Sequence, residues 1–91
     1  MTETLDVTRK KLRFRAWHRG TKEADLMMGR FADAHLQDFG AEELAQFNAL
    51  LEEQDLDVYG WVIGRDPIPE VHRTGVMTLL QAFDFTVEGL R

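Results

Sequence analysis

Apolar residues recur at three- and four-residue intervals along most of this chain, and short polar breaks divide the pattern into five helical stretches. The first is expected over residues 6–18, with Val7, Phe14 and Trp17 near one face and basic residues around the remainder. A second is expected over 21–35, where Met27, Phe31 and Ala34 follow a helical stripe. Gly40 interrupts, and Glu42 and Glu43 suit the first turn of a third helix, where carboxylates meet the positive end of the helix dipole. Leu44, Phe47, Leu50 and Leu51 form its apolar face. Asp55 reads as the N-cap of a short fourth helix bearing Val58, Trp61 and Val62, with Gly64 as its stop. "RDPIP" is a turn, and Pro69 fits the first position of a fifth helix with the stripe His72, Val76, Leu79, Leu80 and Phe83. The tail beyond residue 84 reads as frayed.

Strand signals are nearly absent, because the short run "VYGWVIG" is interrupted by Gly60 and closed by Gly64 and no period-two alternation is sustained. Five short amphipathic helices can bury their stripes only against one another, so the expected fold is an all-α, compact five-helix bundle. At 91 residues the chain is expected to form a single domain over 1–91, with its core at about 6–84. A hydrophobic content of 44% beside 30% charge places it among globular chains rather than disordered ones.

The absence of cysteine removes disulfides, thiolate metal sites and cysteine nucleophiles from consideration. The start, "MTETLDV", carries acids and no apolar run of signal-peptide length, and no stretch approaches the roughly 20 apolar residues that span a bilayer. The cytoplasm is therefore the expected compartment, with no direct membrane insertion. Net charge is −5, yet Arg9, Lys10, Lys11, Arg13, Arg15, Arg19 and Lys22 place seven of the eleven bases in one segment that contains no acid. Such polarity suits docking on a partner with complementary patches. Nucleic acid is the competing partner for that basic end, with Phe14 and Trp17 nearby to stack. An isoelectric point of about 5.1 and the lack of a recognition-helix pattern weigh against it.

Reaction chemistry finds little support. The three histidines, His18, His35 and His72, fall in different helices without HxxxH or HxxE spacing, so metal binding is not expected. There is no serine, and the threonines lack an adjacent base. Glu42/Glu43, Glu52/Glu53 and Asp55/Asp57 lie at helix ends, where capping and solvation account for them. Gly20 stands outside any GxxxxGK or GxGxxG pattern, so an independent FAD site is not expected. The chain is not expected to be an enzyme.

One break remains, "RGTKE" at residues 19–23. As punctuation, Gly20 ends the first helix or caps the second, and Glu23 falls where a carboxylate can satisfy free N–H groups. That reading leaves Arg19 unassigned. "RGTKE" also fits the RGxxE signature of the SdhE (YgfY) family, bacterial relatives of the mitochondrial assembly factor for succinate dehydrogenase. The wider stretch "WHRGTKEADLMMGRFADAHL" resembles that family's first helical pair through Phe31 and Leu36. "LLEEQDLDVYGW" resembles its acidic segment ending at Trp61, and "PIPE" its turn into the last helix. Ala24 departs from the pattern, standing where a larger apolar residue is common.

The resemblance spans roughly residues 11–83. It implies an all-α five-helix protein that binds the flavoprotein subunit of succinate dehydrogenase, and by extension fumarate reductase. It also implies promotion of covalent FAD attachment to a histidine of that subunit, the FAD residing on the partner and none being held stably here. On this resemblance the partner-binding residues are Arg19, Gly20 and Glu23, with Arg15 extending their face and Asp55, Asp57 and Trp61 as further candidates. Arg19 would make forked hydrogen bonds to a partner carboxylate or carbonyl, and Glu23 would meet a basic group or hold Arg19 in place.

Overall fold

A computed structural model describes residues 4–83. Its five α-helices are α1 (Leu5–Trp17), α2 (Lys22–His35), α3 (Ala41–Leu51), α4 (Asp55–Val62) and α5 (Gly75–Ala82), with no strand among the described residues. Single 3-10 turns at Leu36–Asp38 and Glu70–His72 join α2 to α3 and α4 to α5. Threonine hydroxyls start three of the helices, Thr4, Thr21 and Thr74 accepting from the amides of Val7, Ala24 and Met77, each at 3.2 Å. At α3 the cap is reversed: Glu43 in the first turn accepts from the Gly40 amide at 3.0 Å.

The core is centred on Phe31 of α2, whose ring lies 5.6 Å from those of Phe47 and Phe83 and 6.1 Å from that of Phe39. Leu44, Phe47, Leu50 and Leu51 are all buried, as the third stripe anticipates. Val58, Trp61 and Val62 of α4 and Val76, Met77 and Leu80 of α5 close the other side. Gly64 ends α4 as expected, at φ +82°.

Four local readings are corrected. Val7 and Phe14 of α1 are 42% and 60% exposed, and the buried pair is Leu12 and Ala16. The reason is Arg9, half a turn from the expected apolar face, which packs inward and donates to the carbonyls of Leu36 (2.9 Å) and Phe39 (2.8 Å). A helix with two buried apolar side chains is thus anchored by hydrogen bonds to the end of its neighbour. Ala34 of α2 is exposed, because the buried stripe runs through Ala24, Met27, Met28, Phe31 and Ala32 and continues into the 3-10 turn at Leu36. The expected fifth helix is two pieces: Pro69 precedes the 3-10 turn, Arg73 leaves helical geometry at ψ +77°, and Thr74 caps a new helix. His72 is buried in the first piece, and Leu79 in the second is 40% exposed. Asp55 is the first residue of α4 rather than its cap, which is Gln54. The frayed tail expected beyond residue 84 lies outside the described residues. Among those described, no helix is long and apolar enough to cross a membrane.

Candidate docking corner

The chain between α1 and α2 is four residues, His18 to Thr21, and one carboxylate holds the middle two. Gly20 has φ +115°, a conformation that side-chain-bearing residues rarely adopt, and a β-carbon there would meet nothing within 4 Å. Backbone geometry, not crowding, requires the glycine, and the surface above it is open. Asp25 reaches back from the first turn of α2, its Oδ1 accepting from the amides of Arg19 (2.6 Å) and Gly20 (3.3 Å). Thr21 provides the cap. The sequence reading gave the capping role to Gly20 and Glu23; the structure gives it to Thr21 and Asp25, because Thr21 has the extended backbone that an N-cap needs.

Arg19 turns inward. Its Nε donates to Asp55 Oδ1 at 2.8 Å and its Nη2 lies 3.4 Å from the carbonyl oxygen of Glu53. Only 13% of its side chain is exposed, against 28% for Asp55. The guanidinium therefore joins the α1–α2 corner to the turn between α3 and α4, and Asp55 is diverted from capping to receive it. Glu23 does not hold Arg19 in place; it is exposed and has no ion-pair partner among the described residues.

Glu23 and Asp55 nevertheless face a common hollow of about 280 Å³, with Thr21, Ala24, Met27, Leu56 and Tyr59 completing its walls. Leu56 is 76% exposed on its rim. A second open hollow of about 560 Å³ lies across the ridge, lined by Trp17, His18, Gly20, Thr21, Lys22, Asp25 and Leu26. The corner is thus a ridge, Gly20–Thr21, between two depressions, one of them acidic-rimmed with an apolar floor. Beside it His18 stacks on the exposed Phe14, ring centroids 3.9 Å apart, with Nδ1 donating to the Phe14 carbonyl.

The remaining candidates are placed differently. Arg15 points to the end of α3, bonding Asn48 and Glu52, and lines a separate groove between α1 and α3. Asp57 is exposed in the first turn of α4. Trp61 is 8% exposed, inside the core, with its ring 5.2 Å from that of His72. Among the described residues, no group of three or more histidines and carboxylates is placed to hold a metal ion. The corner presents a bare backbone ridge, an exposed carboxylate and ammonium at Glu23 and Lys22, and apolar hollows.

Residues 10–84 match the family model described as "Flavinator of succinate dehydrogenase". The chain belongs to that family. Within it, a relative from Acetobacter pasteurianus named "FAD assembly factor SdhE" is 39% identical over 75 residues, covering 82% of this chain and 69% of the relative. A Drosophila yakuba protein, "Succinate dehydrogenase assembly factor 2-A, mitochondrial", is 34% identical over 90 residues, covering 97% of this chain and 56% of its own length. A Dictyostelium discoideum counterpart is 32% identical over 77 residues, 85% and 55% respectively. The chain thus spans somewhat more than half the length of these mitochondrial relatives. The names are those of assembly factors for an enzyme, and the family expected from "RGTKE" is the family found.

Three contributors to the corner were missed by reading the sequence: Asp25, the Glu53 carbonyl and Gly29. An acid four residues after a threonine cap was a usable signal for Asp25, since carboxylates favour first turns. Gly29 had a signal too, as a mid-helix glycine costs about 1 kcal/mol relative to alanine and so implies a reason. That reason is Trp17, whose ring covers Gly29 so closely that a β-carbon would fall 2.2 Å from ring atom Cδ2. The Glu53 carbonyl had none.

Proposed function

We propose that this protein binds the flavoprotein subunit of succinate dehydrogenase, and that of fumarate reductase, and promotes covalent attachment of FAD to a histidine of that subunit. It acts in the cytoplasm as a non-catalytic helper: the flavoprotein supplies the bond-forming groups, and FAD ends on the partner without a stable site on this chain. The observation that carries the reading is the open Gly20–Thr21 ridge, within the residues 10–84 that match the flavinator family.

The mechanism is selection of a conformation. Flavinylation requires the histidine and the flavin methyl carbon to be aligned, and orienting reacting groups lowers barriers by as much as about 7–11 kcal/mol in ideal systems. A helper that binds the aligned flavoprotein best shifts the population toward it. For that it needs a rigid template, and Arg19 is suited to supply rigidity from below while Gly20 permits close backbone approach from above. Glu23 and Lys22 set orientation, Arg15 and Asp57 carry charge on the flanks, and Trp61 supports α4 from inside.

The nucleic-acid reading is disfavoured by where the bases point. Arg9, Arg15 and Arg19 bond carbonyls, Asn48, Glu52 and Asp55, and Arg13 lies 3.5 Å from Asp33. At least four of the seven clustered bases are thus directed at acceptors within the protein. Mixing the protein with apo-flavoprotein and FAD, then reading covalent flavin fluorescence on a denaturing gel, tests the proposal. Faster labelling than with the flavoprotein alone is expected, and no acceleration overturns it. Salt-sensitive retention on mixed DNA or RNA, if observed, would favour the alternative.

A further inference from the structure

His72 is the one buried polar side chain among the described residues, 4% exposed, and neither capping nor the docking ridge accounts for it. Its ring closes the 3-10 turn Glu70–His72 and packs against Trp61, while Nε2 donates to Glu53 Oε2 at 2.5 Å. Glu53 lies in the turn between α3 and α4, and it is bonded from two sides: its carboxylate to His72 and its carbonyl oxygen to Arg19. Two residues on, Asp55 takes the Arg19 Nε. Between them the Gln54 carbonyl accepts from the amides of Asp57 and Val58, each at 3.1 Å, fixing the first turn of α4. Residues 53–55 therefore form a short strip with the imidazole on one flank and the guanidinium on the other.

We infer that the Glu53–His72 pair is a positioning brace for the docking corner. It holds the 53–55 strip at the height where Arg19 can reach both the Glu53 carbonyl and Asp55, and so sets the Gly20 ridge against the acidic wall of the adjacent hollow. Neither residue lies on the ridge or lines either hollow beside it. They act through Arg19. The inference rests on the docking reading for its consequence, though not for its geometry.

A buried imidazole needing any acceptor would explain His72 alone, and the exposure of Glu53 separates the two accounts. With 40% of its side chain in solvent, the carboxylate can be replaced at His72 by water at small global cost, whereas water cannot hold the strip in place. Glu53→Ala and Glu53→Gln distinguish them, because the amide oxygen of glutamine accepts from the imidazole as the carboxylate does. The first measurement is solvent exchange of the Arg19 Nε–H by NMR, which needs no partner. Glu53→Ala is expected to speed this exchange by about tenfold with little change in melting temperature, and Glu53→Gln to leave it near wild type. The second is affinity for apo-flavoprotein in a double-mutant cycle. Glu53→Ala is expected to weaken it by roughly five- to tenfold alone and by almost nothing further in an Arg19→Ala background, since effects within one network do not add. Unchanged exchange in Glu53→Ala, equal damage from Glu53→Gln, or additive losses in the cycle would each overturn the brace. If exchange behaves as expected while wild-type protein fails to bind flavoprotein, the brace stands and the docking reading falls.

Discussion

Two turns of this protein carry a glycine of positive φ, Gly20 between α1 and α2 and Gly64 just beyond α4, and at neither would a β-carbon touch anything. Each glycine has an arginine beside it and an aspartate close behind: Arg19 and Asp25 at the first corner, Arg65 and Asp66 at the second. Each corner also covers a glycine of a helix, Gly29 under Trp17 and Gly60 under the tips of Arg65 and Asp66. The outcomes diverge. Arg65 is 53% exposed and bonds its own neighbour Asp66, with one further contact to the Leu56 carbonyl nine residues away. Arg19 is 13% exposed and bonds groups 34 and 36 residues away. The same local vocabulary yields a free-standing turn in one place and a joint between distant segments in the other. What decides is whether the fold delivers an acidic strip to the arginine, which no reading of the turn itself reveals.

Substitutions made in matched pairs test that contrast. Arg19→Ala should destabilise by about 2 kcal/mol, having removed charge-assisted bonds and left Asp55 half-covered without its partner, whereas Arg65→Ala should stay within about 0.5 kcal/mol. Urea denaturation of both variants measures this, and equal losses would erase the distinction between joint and turn. Gly29→Ala forces the Trp17 ring to move, an overpacking cost of about 2 kcal/mol against a helix-propensity gain of about 1, for a net loss near 1 kcal/mol. Gly60→Ala displaces only flexible side-chain tips, so the same gain should leave it neutral or slightly more stable; melting temperatures compare the two.

The positive-φ glycines should cost alike and function unlike. Gly20→Ala and Gly64→Ala are each expected to lose about 1 kcal/mol to backbone strain. Yet Gly20→Arg should weaken the flavoprotein complex with little change in circular dichroism, while Gly64→Arg should leave the complex intact. A Gly20→Arg variant that binds normally would remove the ridge from the interface. Glu23→Ala is likewise expected to stay within about 0.5 kcal/mol, its exposed carboxylate losing only the helix-dipole interaction of the first turn of α2 in the free protein. Its affinity for apo-flavoprotein should nonetheless fall, as titration calorimetry would show.

Legibility in the sequence follows the same division. The stripe at 44, 47, 50 and 51 was readable because a helix buried on one side by apolar residues has no other way to satisfy its period. The first helix was not, because Arg9 occupies a half-buried position that its chemistry alone would assign to water, and only the carbonyls at Leu36 and Phe39 make it tolerable there. The broken fifth helix was hidden by His72, which falls on the apolar period while its ring answers to Glu53. At the corner, Arg19, Gly20 and Asp55 were all singled out from the motif and the acidic segment, and the structure brings Arg19 and Asp55 together at 2.8 Å. That Arg19 faces inward, and that Asp25 rather than Glu23 secures the backbone, depends on φ at Gly20 and on contacts across the chain. Spacing carries neither.

The Arg19 joint also bears on the order in which the fold comes apart. The groups that Arg19 bonds lie 36 and 34 residues further along the chain, and the loop-closure entropy of such separations places these bonds on the late side of the folding barrier. Weakening them should raise the unfolding rate and hardly touch the folding rate. Made last in folding, these bonds are also the first to break, so the lifetime of the corner follows the Arg19 joint rather than the unfolding of the whole molecule.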